Sequence, residues 1–260
     1  MYREDVNMKN SLGTKEAIKR WDQNAIIITA NYSENGDLHR EVLLNPSLFS
    51  LVGDVEQKVI LDAGCGEGYL SRIFAKSGAS VVAVDYSKNM LEIAQNKTPT
   101  ELNIKYHYGN CEKLDFLDDE SFDVIVSNMV IQDLENYNAA IKEMYRLLIK
   151  GGSFVFSILH PCFVTPGSGW EKNKEGEKLH WNVDNYFYEG VYEQNYPQGQ
   201  TDKVLFFHRT LTSYFNAITE AGFILEGLVE PKPSKEMLEK YPSFEEDFRC
   251  SDFIMFKLRK

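Results

Sequence analysis

The chain has 260 residues, 43% hydrophobic and 26% charged, with a formal net charge of -11. These values describe a globular chain long enough for one large domain or two small ones. The excess of acid disfavours a nucleic-acid backbone or an anionic membrane as main partner, since both demand lysine and arginine.

Residues 1–10 are polar and lack the apolar run of a secretion signal, and no stretch reaches the apolar length that spans a bilayer. A cytoplasmic location is expected. Residues 14–28 place Ala17, Ile18, Trp21, Ala25 and Ile28 at helical spacing, and 40–51 form a second helical stretch bent or restarted at Pro46. Helices ahead of a first strand pack on a sheet edge or lid a cleft. Trp21, Tyr32 and Arg40 are therefore the residues here with reach to a ligand, against core packing for Trp21 and a surface ion pair for Arg40.

Residues 58–61 are a short apolar run suited to a buried parallel strand. Asp62 follows, then Gly64, Gly66 and Gly68 at alternate positions, then a helical pattern over 69–76 with Leu70, Ile73 and Phe74. Glycines so spaced permit a tight turn and let a bulky ligand lie on bare backbone. Strand, turn and helix in succession put free N–H groups at the carboxyl edge of a sheet. Residues 80–84 are a second buried strand ending in Asp85, which follows Gly64 by 21 residues, the place where a nucleotide fold puts an acid for ribose hydroxyls. Ser87 caps the next helix, where Met90 faces either a ligand base or the core.

Strands are expected at 103–108, 122–127 and 153–158, with a helix at 135–149 closed by Gly151 and Gly152. His107, inside the third strand, is read as structural. Alternating strands and helices of these lengths specify a doubly wound parallel α/β sheet. Residues 159–207 form a long insertion holding Trp170, Trp181, Tyr186, Phe187, Tyr188, Tyr192 and Tyr196. Such a length is a lid or subdomain, or else a small satellite core. Residues 203–207 are expected to pair with 186–192. A helix over 208–221 closed by Gly222, a strand at 223–230, a loop with a short helix at 231–241 and a strand at 252–258 complete the chain.

The four cysteines, Cys65, Cys111, Cys162 and Cys250, stand apart without a Cys-x-x-Cys pair, which fits reduced thiols and suggests no metal site. A dinucleotide fold wants Gly-x-Gly-x-x-Gly, whereas here the third glycine comes one residue early and Asp62 would repel a pyrophosphate. The same acid suits the cationic amino group of an amino-acid moiety. No Gly-Lys-Ser/Thr follows, which excludes a P-loop.

The run 61–68, Asp85 with Tyr86 and Ser87, the triplet 109–111, the strand 122–128 and the segment 147–154 together resemble class I S-adenosylmethionine-dependent methyltransferases. The resemblance covers about residues 58–158 and continues at the C-terminus. It implies a seven-stranded, mostly parallel, Rossmann-like sheet completed by an antiparallel pair. It implies S-adenosyl-L-methionine as cofactor and S-adenosyl-L-homocysteine as product. Gly64, Cys65, Gly66 and Gly68 would pack on the methionine part, with Asp62 near its amino group. Asp85 would bind the ribose hydroxyls, with Tyr86 and Met90 nearby, and Asn110 and Cys111 would flank adenine. The family often has aspartate where this chain has Asn110. Ser127 and Asn128 would lie under the sulfonium, and the N-terminal lid would offer Tyr32 and Arg40.

The resulting expectation is methyl transfer to an O or N atom of a small-molecule acceptor, with aromatic residues of the insertion walling an apolar or aromatic substrate. His160 and His208 are the candidate general bases, the alternative for His160 being packing beside Pro161 with a bond to a backbone carbonyl. The expected organisation is a helical lid at 1–53, a cofactor domain at 54–158 and 208–260, and a substrate-side insertion at 159–207. An NAD(P)-dependent oxidoreductase and a non-catalytic cofactor-binding protein are the alternatives. Nothing in the residues indicates an oligomeric state.

Overall fold

The computed structural model describes residues 12–194 and 203–260. The polar segment 1–10 and Tyr196 fall outside that range. Helix α1 (Thr14–Thr29) leads to a π-helical turn (Arg40–Leu44) that continues as α2 (Asn45–Val52). Strands and helices then alternate as β1 (Val59–Ala63), α3 (Tyr69–Lys76), β2 (Ser80–Asp85), α4 (Lys88–Lys97), β3 (Ile104–Tyr108) and β4 (Phe122–Asn128). A 3-10 turn (Ile131–Asp133), α5 (Tyr137–Leu147) and β5 (Leu148–Leu159) follow. Next come two short hairpins, β6 (Gly169–Lys172) with β7 (Lys178–Asn182) and β8 (Gly190–Gln194) with β9 (Val204–His208). The chain ends through α6 (Leu211–Glu220), β10 (Ile224–Val229), α7 (Lys235–Lys240), a 3-10 stretch (Pro242–Phe248) and β11 (Phe253–Arg259).

Seven strands form one sheet in the order β10-β11-β5-β4-β1-β2-β3, parallel except for β11, which runs against both its neighbours. The expected mostly parallel seven-stranded α/β sheet is thus present. β1 pairs with β2 on one side and β4 on the other, so successive crossovers leave it in opposite directions. That reversal opens a crevice at the carboxyl ends of β1 and β4, which is where open α/β sheets take their ligands. Apolar layers cover both faces, one around Ile125, Met144, Phe154 and Phe156, the other around Leu48, Ile60, Phe74 and Val126. Phe156 stacks on Phe256 across the antiparallel pair at 4.7 Å, joining the last strand to the first layer. Side chains of Ser87, Asn136 and Thr210 cap α4, α5 and α6 by accepting a backbone N–H each.

Two boundaries depart from expectation. The helix expected to reach 149 stops at Leu147, and β5 begins five residues early. The chain's last residue explains the early start: Gly151 N–H donates to the Lys260 carbonyl and Lys260 N–H to that of Gly152. The insertion pairs through Gly190–Gln194 rather than from 186, with Val191 opposite Phe207 and Tyr192 opposite Phe206. The β6–β7 hairpin, where Trp170 meets Trp181 edge to face, has no counterpart in the sequence reading. The β8–β9 hairpin packs on α1 through Ala17, Val191, Leu205 and Phe207, and Arg20 bonds both Glu193 and the Lys203 carbonyl at 2.8 Å.

One buried ion cluster pins the turn after β1 to the helices behind it. The Glu67 side chain, fully buried, receives two bonds from Arg72 at 2.9 and 3.0 Å, with Lys97 at 3.0 Å. Removing a partner strands a buried carboxylate. Arg72→Ala should therefore lower unfolding free energy by roughly 3–5 kcal/mol in a urea titration, whereas Lys76→Ala, at the exposed Glu34 pair, should cost less than about 1 kcal/mol.

Candidate functional site

The crevice at the switch between β1 and β4 holds a cleft whose empty space, its solvent-open mouth included, is about 910 Å³. Its floor is the turn after β1. Gly64 and Gly66 take φ of 85° and 53°, the left-handed region that glycine enters without cost. A Cβ at Gly64 would lie 2.3 Å from the Val130 side chain, while one at Gly66 would meet nothing within 4 Å. The first glycine is needed for packing against the segment leaving β4. The second leaves its backbone open to the cleft.

Pairing of β1 with β2 sets the rest. Ala63 lies opposite Val84, whose carbonyl accepts N–H bonds from Gly64 and Cys65 at 2.8 and 3.0 Å. Asp85 accepts from Gly66 N–H at 2.7 Å and Ser87 N–H at 2.8 Å, so one carboxylate holds both the glycine turn and the start of α4. Burial pushes its pKa up, opposed by those donated N–H bonds. Asp62, almost fully buried, accepts a 2.5 Å bond from the Ser71 hydroxyl. Desolvation raises its pKa to about 7.

Of the cofactor-side candidates, Tyr32, Arg40, Asp62, Gly64, Cys65, Gly66, Asp85, Tyr86, Met90, Asn110, Cys111 and Asn128 all line this cleft. Gly68 and Ser127 do not. Gly68 starts α3 in a left-handed conformation behind the wall, where a Cβ would strike the Tyr106 hydroxyl at 2.6 Å. Ser127 is fully buried and donates to the Ala63 carbonyl at 2.9 Å, which ties β4 to β1. Trp21 also lines the cleft, and the Arg40 guanidinium sits 5.2 Å from the Tyr32 ring centre while pairing with Asp37.

The histidines stand elsewhere. His160 Nε2 bonds Glu230 at 2.7 Å, and its Nδ1 accepts the Cys162 N–H at 3.1 Å. Both ring nitrogens are engaged outside the cleft wall. His208 Nε2 donates to the Tyr186 carbonyl at 3.0 Å and borders a separate small cavity lined by Gln132, Tyr192 and Phe206. Burial lowers the pKa of both rings, so each favours the neutral form. Among the described residues no group of three His, Cys, Asp or Glu side chains is arranged to hold a metal ion, and no helix is long and apolar enough to cross a membrane.

Sequence reading missed three contributors. Tyr69 lines the cleft and is the centre of a buried chain: it donates to Asn45 at 3.1 Å and accepts from Asn128 at 2.9 Å, while Ser157 donates to Asn128 at 2.5 Å. This chain fastens the N-terminal helices to β4 and β5, and no spacing rule links residues so far apart. Asp133 and Leu134 also line the cleft from the turn after β4. A polar pair, Gln132 and Asp133, between the apolar Ile131 and Leu134 just after a buried strand was the available signal.

Comparison with known proteins agrees with this fold. Residues 61–156 match the family model of a methyltransferase domain. Similar solved structures include an S-adenosylmethionine-dependent methyltransferase from Mesorhizobium loti, 27% identical, with TM-score 0.74 over 88% of this chain and 100% of that one. Another is a candidate enzyme of the same type from Listeria monocytogenes, 29% identical, with TM-score 0.74 over 83% of this chain and 95% of that one. A malonyl-[acyl-carrier protein] O-methyltransferase from Hamiltonella defensa is 33% identical over 129 residues, 50% of this chain and 48% of the relative. The chain thus matches that relative over about half its length.

Two outcomes follow from the site's construction. Gly64→Ala should destabilise the protein by on the order of 1–3 kcal/mol, and Gly64→Ala with Val130→Ala should recover only part of it, since the clash goes but the positive φ stays. Because Asp62 holds its proton more tightly folded than unfolded, its contribution to stability falls between about pH 4 and pH 7 as the unfolded chain ionises first. Thermal midpoints across that window should fall less steeply in Asp62→Asn than in the parent.

Proposed function

Because the chain belongs to the class I S-adenosylmethionine-dependent methyltransferases, we propose that it transfers a methyl group to an oxygen or nitrogen atom of a small-molecule acceptor bound beside the turn after β4. The observation that carries this reading is the placement of Asp62 and Asp85 on either side of a bare glycine backbone within one cleft. The residues fit the cofactor. The open backbone at Gly66 admits a ligand without steric cost, and Asp85 would accept bonds from its ribose hydroxyls. Asp62 would face its amino group, Asn110 and Cys111 its adenine, and Tyr32 and Arg40 its carboxylate end. When bound, this cofactor supplies an electrophilic methyl group carried on a sulfonium.

What remains for the protein is alignment and exclusion of water. Helix α1 contributes Ile18, Trp21 and Ile28 to the cleft wall, and the β8–β9 hairpin braces that helix from outside. On this reading residues 1–53 act as a lid, 54–158 and 208–260 as the cofactor domain, and 159–207 as the acceptor-side cover. The described aromatic residues of the insertion, expected to wall the substrate, do not themselves line the cleft, whose wall on this side is α1. The malonyl relatives, by name, act on a group borne by a carrier protein, and a carrier-borne acceptor is the competing class. Neither His160 nor His208 belongs to the cleft wall, so this reading gives them no proton to move.

Calorimetry separates the possibilities. S-adenosylmethionine and S-adenosylhomocysteine should bind and NAD should not. Asp85→Asn should weaken both by about 10- to 100-fold, the worth of one charge-assisted hydrogen bond. Unchanged affinity in that variant would put the cofactor elsewhere. Transfer of labelled methyl to free small molecules, rather than to acyl-carrier thioesters alone, is the expected result of an acceptor screen.

A further inference from the structure

Asp133 sits on the 3-10 turn that follows β4 and lines the same cleft as the glycine turn. Only 5% of its surface is exposed, its Oδ1 is satisfied by no hydrogen bond of full geometry among the described residues, and the Trp21 side chain is the donor that faces it. Leaving a buried carboxyl oxygen unpaired is costly, and such groups persist where a ligand completes them. The obvious cation nearby is otherwise engaged. Arg209 donates to the carbonyls of Ile131, Phe207, Leu134 and Glu135 and lies 4.1 Å from the Tyr137 ring centre. It fixes the turn that carries Asp133 and forms no ion pair with it.

From this geometry we infer that Asp133 is the proton-accepting group of the transfer, and that the acceptor is a hydroxyl or an amine rather than a carboxylate. The inference rests on the methyltransferase reading of the cleft. The acceptor's O–H or N–H bond breaks with its proton passing to the Asp133 carboxylate. The electron pair stays on the acceptor atom and forms the new bond to methyl. The sulfur keeps the pair of its broken bond and leaves as a neutral thioether, so charge balances. An acceptor carboxylate has no proton to give and would meet like charge at this position.

The surroundings say when the group is ready. Facing Asp133 are Trp21 from α1, Arg40 from the π-helical turn, Asp85 from β2, and Arg209; Tyr192 of β8 and Tyr214 of α6 feel its charge in turn. Burial, with Asp85 adding to it, holds the carboxyl well above the usual carboxylate range, against the smaller opposing pulls of Trp21, Arg40 and Arg209. Burial therefore favours its protonated form in the free protein. A sulfonium arriving in the cleft favours the ionised form, so binding of the charged cofactor itself arms the base. The neutral thioether product lacks that effect.

The test compares the two ligands on the full chain, from pH 5.5 to 9. The affinity ratio of S-adenosylmethionine to S-adenosylhomocysteine should rise about tenfold or more with pH in the parent, a change of one pKa unit or greater. In Asp133→Asn the ratio should be flat while homocysteine-form affinity is kept, which also certifies the fold. Asp62 and Asp85 face parts common to both ligands, so their titration largely cancels in the ratio. Independently of any variant, calorimetry of the parent at pH 7 in buffers of differing ionisation enthalpy should show greater proton release with the sulfonium ligand. A flat ratio in the parent, a slope that survives in Asp133→Asn, or equal proton release would each overturn the inference. So would methyl transfer to carboxylic acids but not to phenols or amines in a labelled screen. If neither ligand binds, the methyltransferase reading of the cleft fails first.

Discussion

The hydrogen bond from Gly66 N–H to the Asp85 carboxylate, 2.7 Å long, is the constraint on which the site depends. It joins the turn after β1 to the end of β2, and it is possible only because the two strands pair in parallel with Ala63 opposite Val84. The Val84 carbonyl takes two further N–H groups of the same turn. A loop that would otherwise lose entropy on meeting a ligand is thus ordered in advance. The cost is a carboxylate buried at a strand end, offset by the N–H groups that surround it.

Around this clamp the N-terminal helices are tied to the sheet and complete the cleft wall. The chain Asn45, Tyr69, Asn128 and Ser157 runs from the N-terminal helices through α3 to β4 and β5. Hydrogen bonds of this kind exact orientation as well as proximity, so the N-terminal helices cannot shift without breaking them. Helix α1 serves two masters: its inner residues line the cleft, while Ala17 and Arg20 engage the β8–β9 hairpin. A segment that precedes β1 and one that follows β5 therefore meet at a single helix.

Electrostatically the cleft is a place that waits for positive charge. Asp62, Asp85 and Asp133 all line it and all have pKa values raised by burial. Three buried carboxyls lining one cleft resist ionisation together, and a cationic ligand relieves that resistance. This distinguishes the site from a pyrophosphate cradle, where anions would be repelled and free N–H groups at a helix start would dominate. The separation of roles is spatial: Asp62 beneath the turn, Asp85 at the end of β2, Asp133 on the segment leaving β4.

Composition, strand patterning and the spacing of Gly64, Gly66 and Asp85 determined the fold class and most of the cleft wall, because those features are local: a turn needs its glycines and a strand its apolar run within a few residues. The same locality misled at Gly68 and Ser127, whose neighbours in sequence face the cleft while they themselves pack behind it, and at the start of β5, extended by pairing with the chain's last residue. Whether His160 or Asp133 stands at the opening was decided only in three dimensions. His160 is taken up by Glu230, 70 positions away, and the carbonyls that hold the Asp133 turn are gathered by Arg209 from a distant strand end. Contacts between residues so far apart in sequence leave no periodic trace in the chain, since they exist only once the sheet has brought its edges and insertions together.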